Sequence, residues 1–593
     1  MSPEEQRRPS PSAAAWILSF LLVAIAAKLA LVTLRLHDGG GAWVRPLAAI
    51  AFLHDDVRMA VLFALAAAGL TRLERRWPAS HHLLASLYAA LTFWMAFNIP
   101  VARQLSSPMT YAFLHATGSA LGDSIASYAT PANLGVPAAL WLAGLALPRW
   151  LRGRASFSPR ALAAGAVVAG LCLVCGPPAV ARVDTLGLHR NAVLALVETT
   201  LDRRAPGGLA LPRLDGPGCR PRASCPTLAE LAGIARDRNI VWVILESVGA
   251  RALGAYGAPA GRTPHLDALA SRALVFEHAY AAYPESIKGL YSLLCARLPP
   301  PRTEASQYGA ARLPCPAVAQ ALGQAGLRTG LFHSGWFAYL GMDAVVEGRG
   351  FQRLVDAAAV ASPHRSSFGV DDRSTAKHLL AFVDEQPGRR FFAVFMPIAG
   401  HHPYHAPGDG PRPFSEGSDR EAYVNDVHVA DDAFGTLRAG LAARGLDERT
   451  LYVVLGDHGE AFREHEGNVA HALFLYEENV RVPLLVAAPG RDLGRRVDCP
   501  VSLTDVAPTT LALAGLPAAP GRSLLEGPAR FIPFFTEQGV RRAGLRDGRW
   551  KLILDQDSGR AQLFDLEADP GERENLAAAY PERVRRYRAC LAP

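Results

Sequence analysis

Apolar positions are spread unevenly along the chain. Between residues 13 and 182 they come in runs of membrane-spanning length, near 13–35, 46–71, 81–102, 132–148 and 160–182. The first, AAAWILSFLLVAIAAKLALVTL, follows Arg7 and Arg8 and has no small-residue cleavage site matched to a short apolar core, so it reads as a retained helix. The second is interrupted by His54-Asp55-Asp56-Val57-Arg58, which marks a cavity-facing or interfacial segment. Residues 104–131 fit an amphipathic helix lying on the outer surface.

Beyond residue 183 the pattern changes. Residues 184–237, around APGGLALPRLDGPGCRPRASCPT, are rich in Pro, Gly and Arg and read as a linker or a surface-hugging arm. Short continuous apolar runs of strand length then recur at Asn239–Leu245, Phe391–Met396, Leu451–Leu455 and Val482–Ala487. Such runs suit strands buried on both faces. Helical spacing lies between them, at His265–Ala273, Ala317–Ala325 and Tyr423–Ala443. Alternation of this kind predicts an α/β sandwich with a mixed, mainly parallel sheet.

Charge orients the first third. Arg7 and Arg8 precede the first span, Arg72, Arg75 and Arg76 follow the second, and Arg149, Arg152 and Arg154 follow the fourth. The positive-inside rule then puts the N-terminus in the cytoplasm, and five spans put the chain after about residue 183 outside. All but four of the 61 basic residues are arginine, yet none forms a cluster interleaved with aromatics, so the net charge of +7 does not point to nucleic acid. Cys172 and Cys175 fall in the fifth span, where they read as small apolar residues. The other six cysteines (Cys219, Cys225, Cys295, Cys315, Cys499 and Cys590) fall in the external part, an even number that permits disulfides. Cys219 with Cys225 and Cys295 with Cys315 are nearest in sequence, but sequence does not fix pairing.

Polar groups follow directly on the strands. Glu246 ends the first, His401 and His402 follow the run at 391–396, and Gly456-Asp457-His458-Gly459-Glu460 follows the run at 451–455. In open α/β sheets, sites form at the carboxyl ends of strands. Glu246, Asp457 and His458 supply two hard oxygen ligands and one borderline nitrogen, a set suited to one divalent ion, Mn, Zn, Mg or Ca. Singly, each has a plainer reading: Glu246 as a cap or surface carboxylate, Asp457-His458 as a polar turn, His471 as a structural histidine. Together they need three strand ends to carry such groups by chance. The stretch Ser286-Ile-Lys-Gly-Leu-Tyr-Ser-Leu-Leu-Cys295 begins with a serine that is either a nucleophile or the first residue of a helix.

Several segments carry a family resemblance. Thr263-Pro-His-Leu-Asp-Ala-Leu-Ala270 with Phe276-Glu-His-Ala-Tyr280, then GLDERTLYVVLGDHGE, Tyr476–Pro483, Ser502–Thr509, Asp547–Ile553 and Leu563–Leu576 resemble sulfatase signatures over roughly 238–580. The resemblance implies the alkaline-phosphatase-superfamily sandwich with a small C-terminal antiparallel subdomain. The expected organisation is a transmembrane domain at 1–183, a linker at 184–237, and an extracytoplasmic catalytic domain at 238–593 whose subdomain is 530–593. Sulfatases carry C/S-x-P-S-R-x-S-L-L-T-G, with a first residue that becomes formylglycine. Here Ser286 takes that place, but Lys288 and Leu290 replace the Pro and Arg that direct the modification, so an unmodified serine is expected. Ile244-Leu245-Glu246-Ser247 likewise offers one carboxylate where sulfatases have an Asp-Asp pair.

A single Glu, a hydroxyl nucleophile, Asp-His after a later strand and about five preceding spans resemble the lipoteichoic-acid synthases and the phosphoethanolamine and phosphoglycerol transferases. That resemblance implies Glu246, Ser286, Asp457 and His458 around one metal, with His401 and His471 opposite. Ser286 would attack phosphorus, His401 protonate the leaving alcohol and His471 hold a non-bridging oxygen; Lys288 either steadies the anion or faces solvent. The implied partners are a phospholipid donor, a glycan or lipid acceptor and the membrane, in the inner membrane of a bacterium with the catalytic domain on the periplasmic side. Two other functions stay open: a hydrolase of sulfate or phosphate esters, and a non-catalytic membrane protein with a decayed domain.

Overall fold

A computed structural model describes residues 11–592 apart from 36–45, 75, 106, 112–113, 115–127, 203–218, 220, 222–224, 301–306, 518–520, 528–529 and 538–539. Helices α1 (Ala13–Arg35), α2 (Pro46–Leu73), α3 (Ala79–Leu105), α4 (Pro131–Trp150) and α5 (Pro159–Val180) occupy the five apolar runs. Among the described residues, α1, α3, α4 and α5 are long and apolar enough to cross a membrane. Their outer faces show leucine and valine to the surroundings, as at Leu134, Leu142, Leu171 and Val174, which suits a lipid neighbour rather than water. Most of the surface helix expected at 104–131 lies outside the described residues.

The polar interruption in α2 has a use. Asp56 faces inward, 3.1 Å from the Lys28 ammonium of α1, and accepts 2.7 Å from Asn191 just after the bundle. Lys28 also donates to the carbonyls of Leu188 (2.6 Å) and Arg190 (3.2 Å). Charges that would be costly among apolar helices therefore bind the exit segment to the bundle. That segment continues as α6 (Ala192–Asp202), held on α3 by Trp94 Nε1 donating to the Ala192 carbonyl, 3.1 Å. Farther on, Thr227, Gly233 and Ala235 bond to Leu525, Ala512 and Leu513, so the described part of the arm lies against the globular domain.

The globular domain is built on one large sheet. Its strands are β1 (Asn239–Leu245), β2 (Leu274–Tyr280), β3 (Arg328–His333), β4 (Arg353–Val355), β5 (Phe391–Met396) and β6 (Thr450–Gly456), with β9 (Arg481–Val482), β10 (Leu484–Ala487) and β11 (Arg495–Ser502). The order is β11-β2-β10-β6-β1-β5-β3-β4, and β9 pairs with β2. The centre is parallel, and β10 runs antiparallel to both β6 and β2. The run expected as one strand at 482–487 is divided at Pro483, which has no N–H to give a ladder.

Every residue of β1 is buried. Ile240, Trp242 and Ile244 pack on one face and Val241, Val243 and Leu245 on the other, which is why the strand reads as an unbroken apolar run. Helices α7 (Pro264–Ala270), α10 (Asp372–Asp384) and α11 (Asp419–Ala443) cover the second face; α8 (Ser286–Cys295), α9 (Val318–Gln324) and α12 (Val506–Leu513) cover the first. Strands β12 (Ile532–Thr536), β13 (Arg542–Asp547), β14 (Trp550–Asp555) and β15 (Ala561–Asp565) form an antiparallel meander, followed by α13 (Pro581–Leu591). A two-stranded hairpin, β7 (Ala461–Phe462) with β8 (Val469–Ala470), projects after β6.

Three disulfides join Cys295 to Cys315, Cys219 to Cys590 and Cys225 to Cys499. Of the two pairs nearest in sequence, only Cys295–Cys315 is linked. Cys219 and Cys225 reach different partners instead, because the arm crosses two separate parts of the domain.

The meander meets the large sheet at a buried charge cluster. The Lys551 ammonium, fully buried, lies 3.0 Å from Glu477 and 2.9 Å from Glu572. Removing it strands two carboxylates in the interior, so Lys551→Ala is expected to cost about 3–5 kcal/mol. Thermal melting will show this as a lowered transition, partly restored by adding Glu572→Gln.

Candidate active site

Strand register explains why the polar groups converge. In the parallel pair β1–β6, Leu245 stands opposite Gly456. The next residues, Glu246 and Asp457-His458, therefore leave the carboxyl edge side by side. A Cβ at Gly456 would lie 2.1 Å from the Val248 carbonyl, so only glycine lets the two loops pass this closely. Ser247 bends back with φ +59°, its N–H donating to Asp457 Oδ1 (2.9 Å) and its carbonyl accepting from the Tyr423 hydroxyl (2.8 Å).

Ser286 is the first residue of α8, and its hydroxyl points at this edge. Its Oγ is 3.1 Å from His458 Nε2 and 3.5 Å from Glu246 Oε1. Gly289 lets the helix approach: a Cβ there would stand 3.3 Å from the Tyr283 carbonyl and 3.8 Å from that of Asp457. The structure thus brings Glu246, Ser286, Asp457 and His458 together from two strand ends and a helix start.

The donor set can be tested against a divalent cation. One ligand atom each from Glu246, Asp457 and His458 lie within 4.8 Å of one another, and all three residues are buried. Burial, followed by the charge of Asp457, pushes the Glu246 carboxyl up; burial takes Asp457 to about 6. His458 falls to about 4 through burial and the neighbouring His471 charge, so it is a neutral imidazole with Nδ1 donating to the Gly459 carbonyl (3.1 Å) and Nε2 facing the carboxylates. Two carboxylates that repel each other around a neutral nitrogen form a hole for positive charge, and hard oxygens with one imidazole suit a divalent ion. The residues fit the metal that sulfatase-superfamily members bind.

His471 makes a different arrangement. Burial would lower it, but the Glu460 carboxylate, 2.7 Å from Nδ1, overcomes this and raises it to about 9. Its ring stacks on His458 with centroids 4.0 Å apart. Glu460 also accepts from the Tyr404 hydroxyl (2.5 Å). A cationic imidazole is thus held beside the proposed metal group. His401 stands on the loop after β5, its ring against Phe368 (4.5 Å) and Tyr339 (5.8 Å), with Nδ1 donating to the His402 carbonyl (2.6 Å). That bond leaves Nε2 as the nitrogen for proton exchange. Burial lowers His401, and the charge of Glu246 opposes the shift.

Lys288 neither faces solvent nor stands ready for an anion. It is buried, 3.0 Å from Glu285 and 3.1 Å from Glu537. Glu285 also accepts from the Glu537 N–H (3.0 Å), so the lysine ties α8 to the loop after β12. Sequence reasoning gave no role to Glu460, Tyr404 or His402. Glu460 was visible, two residues beyond His458; the tyrosine was not, because its value comes from a fold that sets it opposite Glu460.

Residues 238–516, a little under half the chain, match the family model described as Sulfatase. Arylsulfatase K of Bos taurus is 33% identical over 187 residues, covering 28% of this chain and 34% of that protein. The chain thus spans about a third of that relative's length. Arylsulfatase A of Homo sapiens is 26% identical over 458 residues, covering 61% of this chain and 88% of the relative. Among solved structures, the lipoteichoic acid synthase LtaP from Listeria monocytogenes superposes with a TM-score of 0.51 at 18% identity, covering 62% of this chain and 94% of that one. The globular domain thus has a sulfatase-like α/β fold, and residues 238–516 are similar to the sulfatases.

Metal binding should follow the ligands' protonation. Without a cation, Asp457 has a folded value near 6, above its unfolded value near 4, so its contribution to stability is present below about pH 4 and is lost as pH rises through about 6. A divalent ion offsets that loss. The increment in melting temperature between EDTA and manganese is expected to be large at pH 7.5 and small at pH 5, and Glu246→Gln should abolish it at both.

Proposed function

We propose that this chain is a metal-dependent membrane enzyme that transfers a phosphoglycerol or phosphoethanolamine group from phospholipid to an envelope glycan or lipid through a covalent intermediate on Ser286. The observation that carries the reading is Ser286 Oγ, a hydroxyl in a position unsuited to formylglycine formation, set 3.1 Å from His458 and 3.5 Å from Glu246. Apolar helices on the same chain would bring a lipid donor to the edge of that site.

Glu246, Ser286, Asp457 and His458 would hold the cation, which supplies Lewis-acid stabilisation of negative charge when bound. The protein groups do the rest. Ser286 gives up its proton to solvent and its Oγ forms a bond to phosphorus as the bond to the leaving alcohol breaks. His401 donates from Nε2 to the departing oxygen, the easier because burial weakens its hold on the proton. His471, kept cationic by Glu460, is placed to hold a non-bridging oxygen. In the second half an acceptor hydroxyl attacks the phosphoserine and passes its proton to His401, the bond from phosphorus to Ser286 Oγ breaks, and Ser286 takes back a proton from solvent.

The reading places the chain as a multi-pass protein of a bacterial inner membrane with the sulfatase-like domain on the periplasmic side. The arginine distribution and the three disulfides support that placement. A second reading, hydrolysis of sulfate or phosphate esters, is favoured by the arylsulfatase relatives.

Incubation with labelled phosphatidylglycerol, phosphatidylethanolamine and, separately, an aryl sulfate will decide between them. A phosphoglycerol or phosphoethanolamine mass added to the Ser286 peptide is expected; aryl sulfate cleavage with no lipid-derived adduct would favour the hydrolase. Ser286→Ala should lose at least about 10³-fold of turnover while still binding metal weakly. Unchanged activity in that variant would remove Ser286 from the mechanism.

A further inference from the structure

The outer end of the membrane domain reaches the candidate active site at one tyrosine. Tyr128 stacks on His402, with centroids 5.1 Å apart and planes 8° from parallel, and its hydroxyl lies 2.9 Å from His402 Nε2. The hydroxyl also accepts from Gln104 Nε2 of α3 (3.0 Å). Since Gln104 supplies one proton to that oxygen, the tyrosine's own proton is directed at His402 Nε2. The backbone is fixed as well: Asn133 Nδ2 of α4 and the Thr130 N–H both donate to the Tyr128 carbonyl (2.9 and 2.8 Å). Two membrane helices thus hold this side chain.

From His402 the connection runs two ways. Its carbonyl accepts the Nδ1 proton of His401, which decides the nitrogen that His401 presents to the site. Its ring meets Tyr404 edge-on at 5.3 Å, and Tyr404 donates to Glu460, the partner of His471. Both histidines of the proposed chemistry therefore rest on a residue that Tyr128 clamps. Burial, and then the charges of Asp419 and Glu460, push Tyr128 up to about 12, so it remains a proton donor across the working pH range.

We propose that Tyr128 is a positioning residue that acts through His402 on His401, making the outer face of the membrane domain a structural part of the active site. The proposal rests on the role given above to His401, and on no particular transferred group. In terms of chemistry, a displaced His402 carbonyl loosens the His401 ring and misplaces the proton meant for the leaving oxygen. No step gains or loses a group relative to the mechanism above.

The dependence on a leaving-group proton supplies the test. Full-length protein is assayed with a matched pair of esters, one alkyl and one 4-nitrophenyl, of whichever acid the parent turns over, phosphodiester or sulfate. Nitrophenolate leaves without protonation; an alkoxide does not. Tyr128→Phe, which keeps the stacked ring, is expected to lower kcat for the alkyl ester about tenfold or more with KM little changed, and to leave the nitrophenyl ester within about twofold. His402→Gln should behave alike, and the double variant should be no worse than either single. Equal losses on both esters, in step with a lowered melting temperature, would show a merely structural contact and overturn the proposal; so would unaltered alkyl turnover. A parent that cleaves sulfate esters alone would end the phospholipid reading and still leave this comparison decisive.

Discussion

Two acidic groups buried side by side dictate much of this molecule. Glu246 and Asp457 repel one another in a setting with little water, and their separation is set by the β1–β6 register rather than by any flexible loop. The chain meets the cost with backbone N–H groups of Ser247 and His458, a neutral imidazole and a hydroxyl, an arrangement that a divalent cation would fit. Gly456 and Gly289 exist in their places because the loops and α8 must come close. The rest of the sheet serves to keep those strand ends from separating.

The sandwich was legible because a strand buried on both faces has few alternatives to Val, Ile, Leu, Phe and Trp, as in NIVWVIL and FFAVFM. The strand-end carboxylates and histidines were legible for the complementary reason, that polar groups abruptly follow such runs. What stayed hidden depends on distant pairing. Nothing local marks Lys288 as a clamp, since its two carboxylates come from three residues before it and from Glu537. Cys219 and Cys225 looked like neighbours, and only the path of the arm shows that they serve different anchors. The charges of α2 mark a cavity-facing or interfacial segment in the sequence, but their partners Lys28 and Asn191 are visible only in the fold.

Histidine is used in three different settings within one small region. His458 is kept neutral by burial, His471 is kept charged by Glu460, and His401 is held by a carbonyl so that one nitrogen remains for exchange. Similar side chains come to differ in charge and in the nitrogen they present because of what each ring touches. Position along the sequence predicts none of these differences, although the sequence puts all three near the same sheet edge.

The bond between Cys219 and Cys590 closes a loop of 371 residues, from the arm beyond the bundle to the final helix. That bond cannot form before residue 590 has been made. Until then the arm has no covalent tie to α13. Cys590 thus acts as a fastener, closing the arm onto a domain whose sheets and other helices all precede it.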